Sequence, residues 1–198
     1  MALSLQVYFD FSCPYCYLAW GYMKRVKEKT AIDDVWVSWE IHPQTPQEGA
    51  HIQEVMPTVN LLGRLKKLND LGAPVGITPG HNTFRPNTKL ALEALEYATA
   101  CGKMHRWIDA VYQASFVVGV NIGDKAVLLK IAHNIGLDAT ELDKRLESGY
   151  YSPTILAHDN ECMDKQLEWV PTVYQGDTRV IEGAFSYAEF EEKILALK

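Results

Sequence analysis

Cys13-Pro14-Tyr15-Cys16 is the stretch that decides the fold, because it holds two cysteines three positions apart with a proline after the first. The other two cysteines, Cys101 and Cys162, are isolated in the sequence. Such a close pair is either half of a zinc site or a redox dithiol. A structural zinc site needs four ligands, usually two close pairs, and the sequence offers no second pair of cysteine or histidine. The spacing therefore favours a redox dithiol, and we expect no metal site.

The residues around this pair predict a junction between a strand and a helix. Apolar residues alternate with other residues over 3–9, which is the period of a β-strand, and recur at helical spacing over 18–26. Pro14 fits the first helical position, where its missing N–H costs nothing, so Cys13 is the predicted N-cap. An N-cap sulfur faces unpaired N–H groups and the positive end of the helix dipole. Both stabilise the thiolate of Cys13, which favours this sulfur as the nucleophile and Cys16 as the resolving thiol.

The rest of the chain predicts a mixed order of elements. Residues 34–42 read as a second strand with Val35, Val37, Trp39 and Ile41 on one face, which completes a right-handed βαβ unit. A loop is expected over 42–56. Helices are expected over 57–72, 88–101 with Asn87 as cap, 103–116, 124–135, from a capping box at 138–141, and over 152–166.

The period changes again after residue 169. Two short strands, 172–174 and 179–182, are joined by a predicted hairpin turn, and a capping box at 186–189 opens the last helix. The predicted fold class is α/β, with residues 1–43 and 168–198 forming one mixed sheet. Residues 44–167 are the predicted helical insertion.

Composition excludes several classes of protein. The chain has 198 residues, of which 47% are hydrophobic and 22% charged, so it can bury a core and is too apolar for intrinsic disorder. Its 19 basic and 25 acidic side chains give a net charge of −6, which argues against nucleic-acid binding. No apolar stretch is long enough to span a membrane, and residues 1–6 lack the pattern of an export signal. We therefore expect a cytoplasmic protein in which Cys101 and Cys162 are small core residues.

Five segments of the chain resemble a known family. They are residues 8–17 around the cysteine pair, Asn87-Thr88, Ile131-Ala132, Gly136-Leu137-Asp138 and Val170-Pro171-Thr172. With the order of elements, they resemble the thioredoxin fold carrying the helical insertion of the DsbA superfamily, and most nearly its FrnE-like branch. The approach to the proline, Leu167-Glu168-Trp169, departs from that pattern, in which glycine is more usual.

A neighbouring branch is also similar in its first segment. It contains the glutathione-dependent 2-hydroxychromene-2-carboxylate isomerases and the kappa-class glutathione transferases. That branch typically has serine at the position of Cys13 and a Trp-Gly-x-Asp-Arg segment after the last strand. This chain has cysteine at position 13 and reads Ile-Glu-Gly-Ala-Phe-Ser over 181–186, so it lacks both marks.

The predicted sheet brings distant residues to one edge. Cys13 and His42 follow the carboxyl ends of two parallel strands, where ligands bind in open sheets. If the third strand is antiparallel, its first residue, Pro171, reaches the same edge. Pro171 is then either a strand-initiating proline or, as the resemblance implies, the second residue of a cis Val170-Pro171 bond beside the dithiol. In the second case the backbone of Val170 is free to pair with an extended substrate.

Three neighbours are expected to tune the dithiol. Asp10 is either a proton relay for Cys16 or a residue that caps the turn. His42 is either a loop residue without a role or a cation that stabilises the Cys13 thiolate. Tyr15 carries no charge at neutral pH, so the pair should be less oxidising than dithiols with histidine at that place.

Three functions remain open at this point. The leading one is a thiol:disulfide oxidoreductase of the protein-disulfide oxidoreductase or isomerase type, acting on protein or small disulfides. It needs no metal or organic cofactor, with glutathione as a candidate co-substrate. The alternative is a glutathione-dependent isomerase or transferase in which only Cys13 matters. The third is a binding module or chaperone that holds extended chains. The oligomeric state does not follow from the sequence.

Overall fold

A computed structural model describes residues 2–80 and 83–197 of the chain. Its elements in chain order are β1 (Leu3–Phe9), α1 (Pro14–Lys27), β2 (Ile32–Ser38), β3 (Ala50–His51), α2 (Ile52–Val55), α3 (Leu61–Gly72), β4 (Phe84–Arg85), α4 (Lys89–Ala100), α5 (Met104–Tyr112), α6 (Lys125–Asn134), α7 (Ala139–Glu147), α8 (Ser152–Asp164), β5 (Thr172–Gln175), β6 (Thr178–Glu182) and α9 (Tyr187–Leu195).

Four strands form the main sheet, in the order β2-β1-β5-β6. Strands β1 and β2 are parallel, whereas β5 is antiparallel to both β1 and β6. The strands of the first forty residues and of the last thirty therefore share one mixed sheet. The helices α2–α8 come between them in the chain, and the thioredoxin-like α/β fold is confirmed.

Helix α1 begins where the sequence predicts. Cys13 is its N-cap residue, Pro14 occupies the first turn, and three cations lie in the last turn: Lys24, Arg25 and Lys27. Proline at the first position and cations at the last both suit the helix termini. The middle of α1 is buried on nearly every side, because the sheet, α3 and α9 all pack against it.

Strand β2 differs from the prediction in its bounds, and both of its faces carry buried residues. It covers Ile32–Ser38 instead of 34–42, and Val35 is exposed. The face that enters the main core carries Ile32, Asp34 and Trp36. The sequence did not indicate this buried face, because the carboxylate of Asp34 made it look polar, whereas Val37 of the predicted face is buried on the other side of the sheet.

Asp34 is buried with its charge paired. Its carboxylate accepts hydrogen bonds from Trp36 Nε1 at 2.7 Å and from the ammonium of Lys27, and lies 3.0 Å from His105 Nε2. Burial opposes the charge, but hydrogen bonds from His105, Lys27 and Trp36 outweigh burial and lower the pKa of Asp34 to about 2. This carboxylate therefore joins β2 to α1 and α5.

The helical segment starts later than predicted at two helices. Helix α3 begins at Leu61 and not at residue 57, because Asn60 is the N-cap and accepts a hydrogen bond from the Gly63 N–H at 3.0 Å. Helix α4 begins at Lys89, with Thr88 as N-cap, while the Asn87 side chain accepts from the Lys89 N–H at 3.1 Å. The predicted loop over 42–56 contains β3 and α2, and β3 pairs with β4.

Later helices follow the predicted order with local differences. Helix α5 changes to a wider π turn over Gln113–Val118. Asp138 caps α7, but the Glu141 carboxylate pairs with Arg145 at 2.7 Å and does not complete the expected capping box. Ser186 does open α9 with both halves of its box.

One hydrophobic core runs through the sheet and the helices, and it includes both cysteines of the pair. A smaller cluster on the other face of the sheet packs Tyr8, Val37 and Tyr174 against Cys162 and Leu167. Within 2–80 and 83–197, no helix is both long and apolar enough to cross a bilayer.

Candidate active site

The dithiol lies at the N-terminus of α1, at the edge of the sheet. Cys13 has extended backbone angles (φ −86°, ψ 114°) and is 8% exposed, whereas Cys16 is fully buried. Both are free thiols. The N–H of Cys16 donates to the Cys13 carbonyl at 3.1 Å, which closes the first helical turn. Cys13 is therefore the less buried member of the pair, and Cys16 has no exposed surface.

Hydrogen bonds lower the pKa of Cys13. The Cys16 thiol contributes most, and the backbone N–H groups of Cys16 and Tyr15 add to it. Burial and the nearby charge of Asp10 oppose this effect without overcoming it. The lowered pKa has the predicted direction, but its main cause is the Cys16 thiol, and the N–H groups of the first turn contribute less than expected for an N-cap sulfur.

The pKa of Cys16 is shifted in the opposite direction to that of Cys13. Burial raises the pKa of its thiol well above the ordinary value, and the hydrogen bond and charge of Cys13 raise it further. The two sulfurs therefore differ in the direction that a nucleophile and a resolving thiol require.

Val170 and Pro171 lie beside the dithiol. The Val170–Pro171 peptide bond is cis, and the Cys13 thiol donates to the Val170 carbonyl at 3.6 Å. Antiparallel pairing of Tyr8 with Thr172 carries Pro171 to the edge where β1 ends. Trp169, next to Val170, is 64% exposed, which places a large aromatic side chain on the surface at this edge.

Asp10 is buried beneath the dithiol and has three partners. One oxygen accepts from the Ser12 N–H at 2.6 Å, and the other accepts from the Ile41 N–H at 2.9 Å and the Thr88 hydroxyl at 3.3 Å. Burial outweighs these hydrogen bonds and raises the pKa of Asp10. Asp10 therefore caps the turn before Cys13, as one of the two interpretations expected, and it also connects the turn to two other segments.

Of the two interpretations of His42, the cationic one is disfavoured by the surroundings of the side chain. It is half-buried, and burial lowers its pKa, with the charges of Arg85 and Arg64 lowering it further. These effects disfavour the imidazolium form on which a role in stabilising the Cys13 thiolate depends.

A different cation lies near the pair. Pro14 is buried at the first helical position, and Tyr15 is partly exposed. The ammonium of Lys67, on α3, lies 5.9 Å from the centre of the Tyr15 ring. A positive charge therefore lies next to Tyr15, although Tyr15 itself carries none.

Tyr112 is a neighbour of the dithiol that sequence reasoning missed. Its ring packs against Phe11 at 5.3 Å between centroids, and its buried hydroxyl has no hydrogen-bond partner within the described residues. Burial raises its pKa well above the ordinary value, and the charges of Cys16 and Cys13 add to this. Position 112 falls on the apolar face of α5, a pattern that indicates burial but does not indicate proximity to a dithiol.

The two isolated cysteines have different environments. Cys162 is fully buried, as expected, and burial raises its pKa to about 12. Cys101 is exposed, so the prediction of a core residue was wrong. The reason is its place at the C-cap of α4, just before Gly102 turns the chain with a positive φ of 67°.

The structure also has a cavity of about 680 Å³ away from the dithiol, at the other end of α1. Trp20, Lys24, His105 and Arg106 contribute to its lining. In the parts of the chain that the structure describes, no group of three or more His, Cys, Asp or Glu side chains is arranged to hold a metal ion.

The family model for the DSBA-like thioredoxin domain matches residues 4–195, almost the whole chain. The chain belongs to this family. Among curated relatives of this DSBA-like protein, YwbO of Bacillus subtilis (strain 168) is 27% identical over 199 residues, covering 98% of this chain and 96% of YwbO.

Solved structures share the fold of this DSBA-like protein at low sequence identity. A probable DsbA oxidoreductase from Streptomyces coelicolor has a TM-score of 0.86 at 18% identity and covers 98% of this chain and 89% of its own. A 2-hydroxychromene-2-carboxylate isomerase has a TM-score of 0.72 at 16% identity, with coverages of 98% and 92%. The cytosolic disulfide reductase DsbM of Pseudomonas aeruginosa, solved with GSH, has a TM-score of 0.60 at 19% identity, with coverages of 86% and 85%.

Proposed function

We propose that this DSBA-like protein is a thiol:disulfide oxidoreductase of the protein-disulfide oxidoreductase or isomerase type. The observation that carries the proposal is the asymmetry of the pair. Cys13 is at the edge of the site with a lowered pKa, and Cys16 is buried with a raised pKa. A thiolate at the edge with a protonated thiol behind it is the arrangement that disulfide exchange requires.

The proposed reaction uses two exchange steps. The Cys13 thiolate attacks one sulfur of a substrate disulfide, forms a mixed disulfide and releases the other substrate sulfur as a thiolate. Cys16 then loses its proton and attacks Cys13, which releases the second substrate thiol and leaves the protein disulfide. Run backwards, the same steps oxidise a substrate dithiol. The reaction needs the two cysteines of the chain and no metal or organic cofactor.

The backbone at Val170 is the proposed docking site for an extended substrate. Its carbonyl lies 3.6 Å from the Cys13 sulfur, so a peptide strand bound alongside this carbonyl would bring its own cysteine within reach. Exposed Trp169 would add an apolar contact. We propose protein thiols and disulfides, or glutathione, as the exchange partners, and the cytoplasm as the compartment. The neighbour described as a cytosolic disulfide reductase with GSH supports both.

The test is to trap the mixed disulfide. Cys16→Ser should accumulate substrate bound to Cys13, visible as an added mass that reductant removes, because the resolving thiol is absent. Cys13→Ser should show neither adduct nor turnover. If Cys13→Ser still exchanges disulfides, the proposed roles are wrong.

The second candidate is a glutathione-dependent isomerase or transferase. The structural likeness to a 2-hydroxychromene-2-carboxylate isomerase favours it. In that reaction only Cys13 matters, so Cys16→Ser should keep full isomerase activity. The same variant separates the two functions, because an oxidoreductase loses turnover without its resolving thiol. The motif around the pair supports the FrnE-like branch over the isomerase branch.

A further inference from the structure

Three cations lie on segments next to the dithiol, because α3 packs against α1 and the residues between β4 and α4 reach Asp10. They are Arg64 and Lys67 of α3 and Arg85 of β4, and we call them the basic rim. None of the three forms an ion pair with a carboxylate of residues 2–80 or 83–197. Cations without an ion pair on these neighbouring segments contrast with the net charge of the protein, which is −6.

Lys67 reaches the residue between the two cysteines. Its ammonium lies 5.9 Å from the centre of the Tyr15 ring, and its side chain is exposed. The neighbouring Lys66 is different, because its ammonium pairs with Asp70 at 2.6 Å. The charge of Lys67 is therefore available to a bound molecule.

Arg85 is held near the dithiol by a short route through Asp10. Thr88, three residues after Arg85, donates its hydroxyl to Asp10 at 3.3 Å. Asp10 is itself three residues before Cys13, and its carbonyl accepts from the Cys13 N–H at 3.2 Å. The start of α4 and the turn before the dithiol are thus in direct contact, and Arg85 is near enough for the charge of Asp10 to act on it.

Arg64 and Arg85 are close enough for their charges to act on the same neighbour. Both arginine charges act on half-buried His42 and, after burial, lower its pKa. Burial and then the charge of Arg64 lower the pKa of Arg85, and the buried carboxylate of Asp10 partly opposes them. The two guanidinium groups therefore repel each other, and no ion pair with a carboxylate of the described residues neutralises either of them. An anion between them would remove this repulsion.

We propose that the basic rim selects thiol and disulfide substrates that carry carboxylates beside the reacting sulfur. This inference rests on the proposed exchange chemistry at Cys13. The rim would bind the carboxylates of the incoming disulfide while the Cys13 thiolate attacks one of its sulfurs. As the new S–S bond forms, the old one breaks and the leaving thiolate takes a proton from water. The attack of Cys16 then releases the second anionic thiol, so the substrate is reduced and the protein oxidised.

The experiment compares three small disulfides of similar size with the reduced full-length protein. Dithiodipropionate is a dianion, bis(hydroxyethyl) disulfide is neutral and cystamine is a dication. Each exchange rate is divided by the rate of a simple thiol with the same disulfide, which removes differences in intrinsic reactivity. We expect the dianion to react about tenfold faster than the dication at low ionic strength. The advantage should vanish near 1 M salt, where charges are screened within about 3 Å.

Variants test whether the rim causes the preference. Arg64→Gln, Lys67→Gln and Arg85→Gln should each lower the ratio of the dianion rate to the dication rate by about threefold. Arg106→Gln is the matched control, because it removes an exposed cation of α5 beside the cavity at the other end of α1. That control should leave the ratio unchanged.

The outcomes separate the two proposals. If the neutral disulfide reacts but the charged pair shows no preference and no salt dependence, the rim is not a recognition site and the exchange function stands. If none of the three disulfides reacts, the exchange function itself is wrong, and the rim proposal fails with it. Peptide disulfides flanked by Asp or by Lys identify the source of the anion: a preference that extends to them assigns the rim to protein substrates, and one confined to small disulfides assigns it to low-molecular-weight thiols.

Discussion

Replacing Asp34 by asparagine should destabilise the protein by an amount that depends on pH. The pKa of this carboxyl falls from its ordinary value of 3.8 to about 2 because of its contacts with His105, Lys27 and Trp36, which outweigh burial. At 1.36 kcal/mol per pKa unit, the ionised form stabilises the folded state by about 2 kcal/mol at pH 7. The pKa is lower in the folded chain, so this contribution is present above pH 4 and is lost as the pH falls towards 2. At pH 3 about half of it should remain.

Urea unfolding of the wild type and of Asp34→Asn at several pH values measures this contribution. The difference in unfolding free energy should be about 2 kcal/mol at pH 7 and about half of that at pH 3. Asp33→Asn is the matched control, because Asp33 is the exposed neighbour on the same strand and loses the same charge. If the two variants lose equal stability, or if the Asp34→Asn difference stays constant down to pH 3, the ion-pair explanation is refuted.

Three further outcomes concern the dithiol site. Alkylation at pH 6 should label Cys13 before Cys16, because the pKa of Cys13 is lowered and that of Cys16 raised; mass spectrometry of the digested protein gives the order, and the reverse order would contradict the assignment of roles. Tyr112→Phe removes a buried hydroxyl that has no partner in the described part of the chain, so urea unfolding should show unchanged or increased stability, by up to about 1 kcal/mol; a loss of that size would mean that the hydroxyl has a partner in solution. Trp169→Ala should change the unfolding free energy by less than about 0.5 kcal/mol, because the side chain is exposed, while slowing exchange with peptide disulfides; unchanged peptide rates would remove Trp169 from the docking edge.

The parts of the site that were predictable depend on local sequence. Cys13 at the N-cap follows from the proline after it and the helical spacing beyond it, because capping involves only neighbouring residues. The arrival of Pro171 at the same edge follows from the order of strands, once the third strand is antiparallel. Both features can be predicted because they depend only on neighbouring residues and on the order of the elements in the chain.

The parts that were missed depend on contacts between distant segments. The burial of Asp34 could not be predicted, because its partners lie on α1 and α5. Tyr112 comes close to the dithiol, and Thr88 binds Asp10, through the packing of the helical segment, and nothing in their own neighbourhoods in the sequence indicates this. His42 directly follows Ile41, whose N–H binds Asp10, but the arginines that disfavour its charge were not foreseen.

The three hydrogen bonds of Asp10 connect the redox site to two other parts of the fold through one carboxylate. It joins the turn before the dithiol to the backbone after β2 at Ile41 and to the start of α4 at Thr88. Protonation of this carboxylate removes its charge from all three contacts at once. The hydrogen bond that holds the start of α4 would weaken together with the two that hold the backbone at Ser12 and Ile41. Conversely, a displacement of α4 away from Asp10 would break the Thr88 hydrogen bond and leave the turn before Cys13 with fewer contacts. Amide hydrogen exchange at Ser12 and Ile41 would record both events at the same two backbone positions.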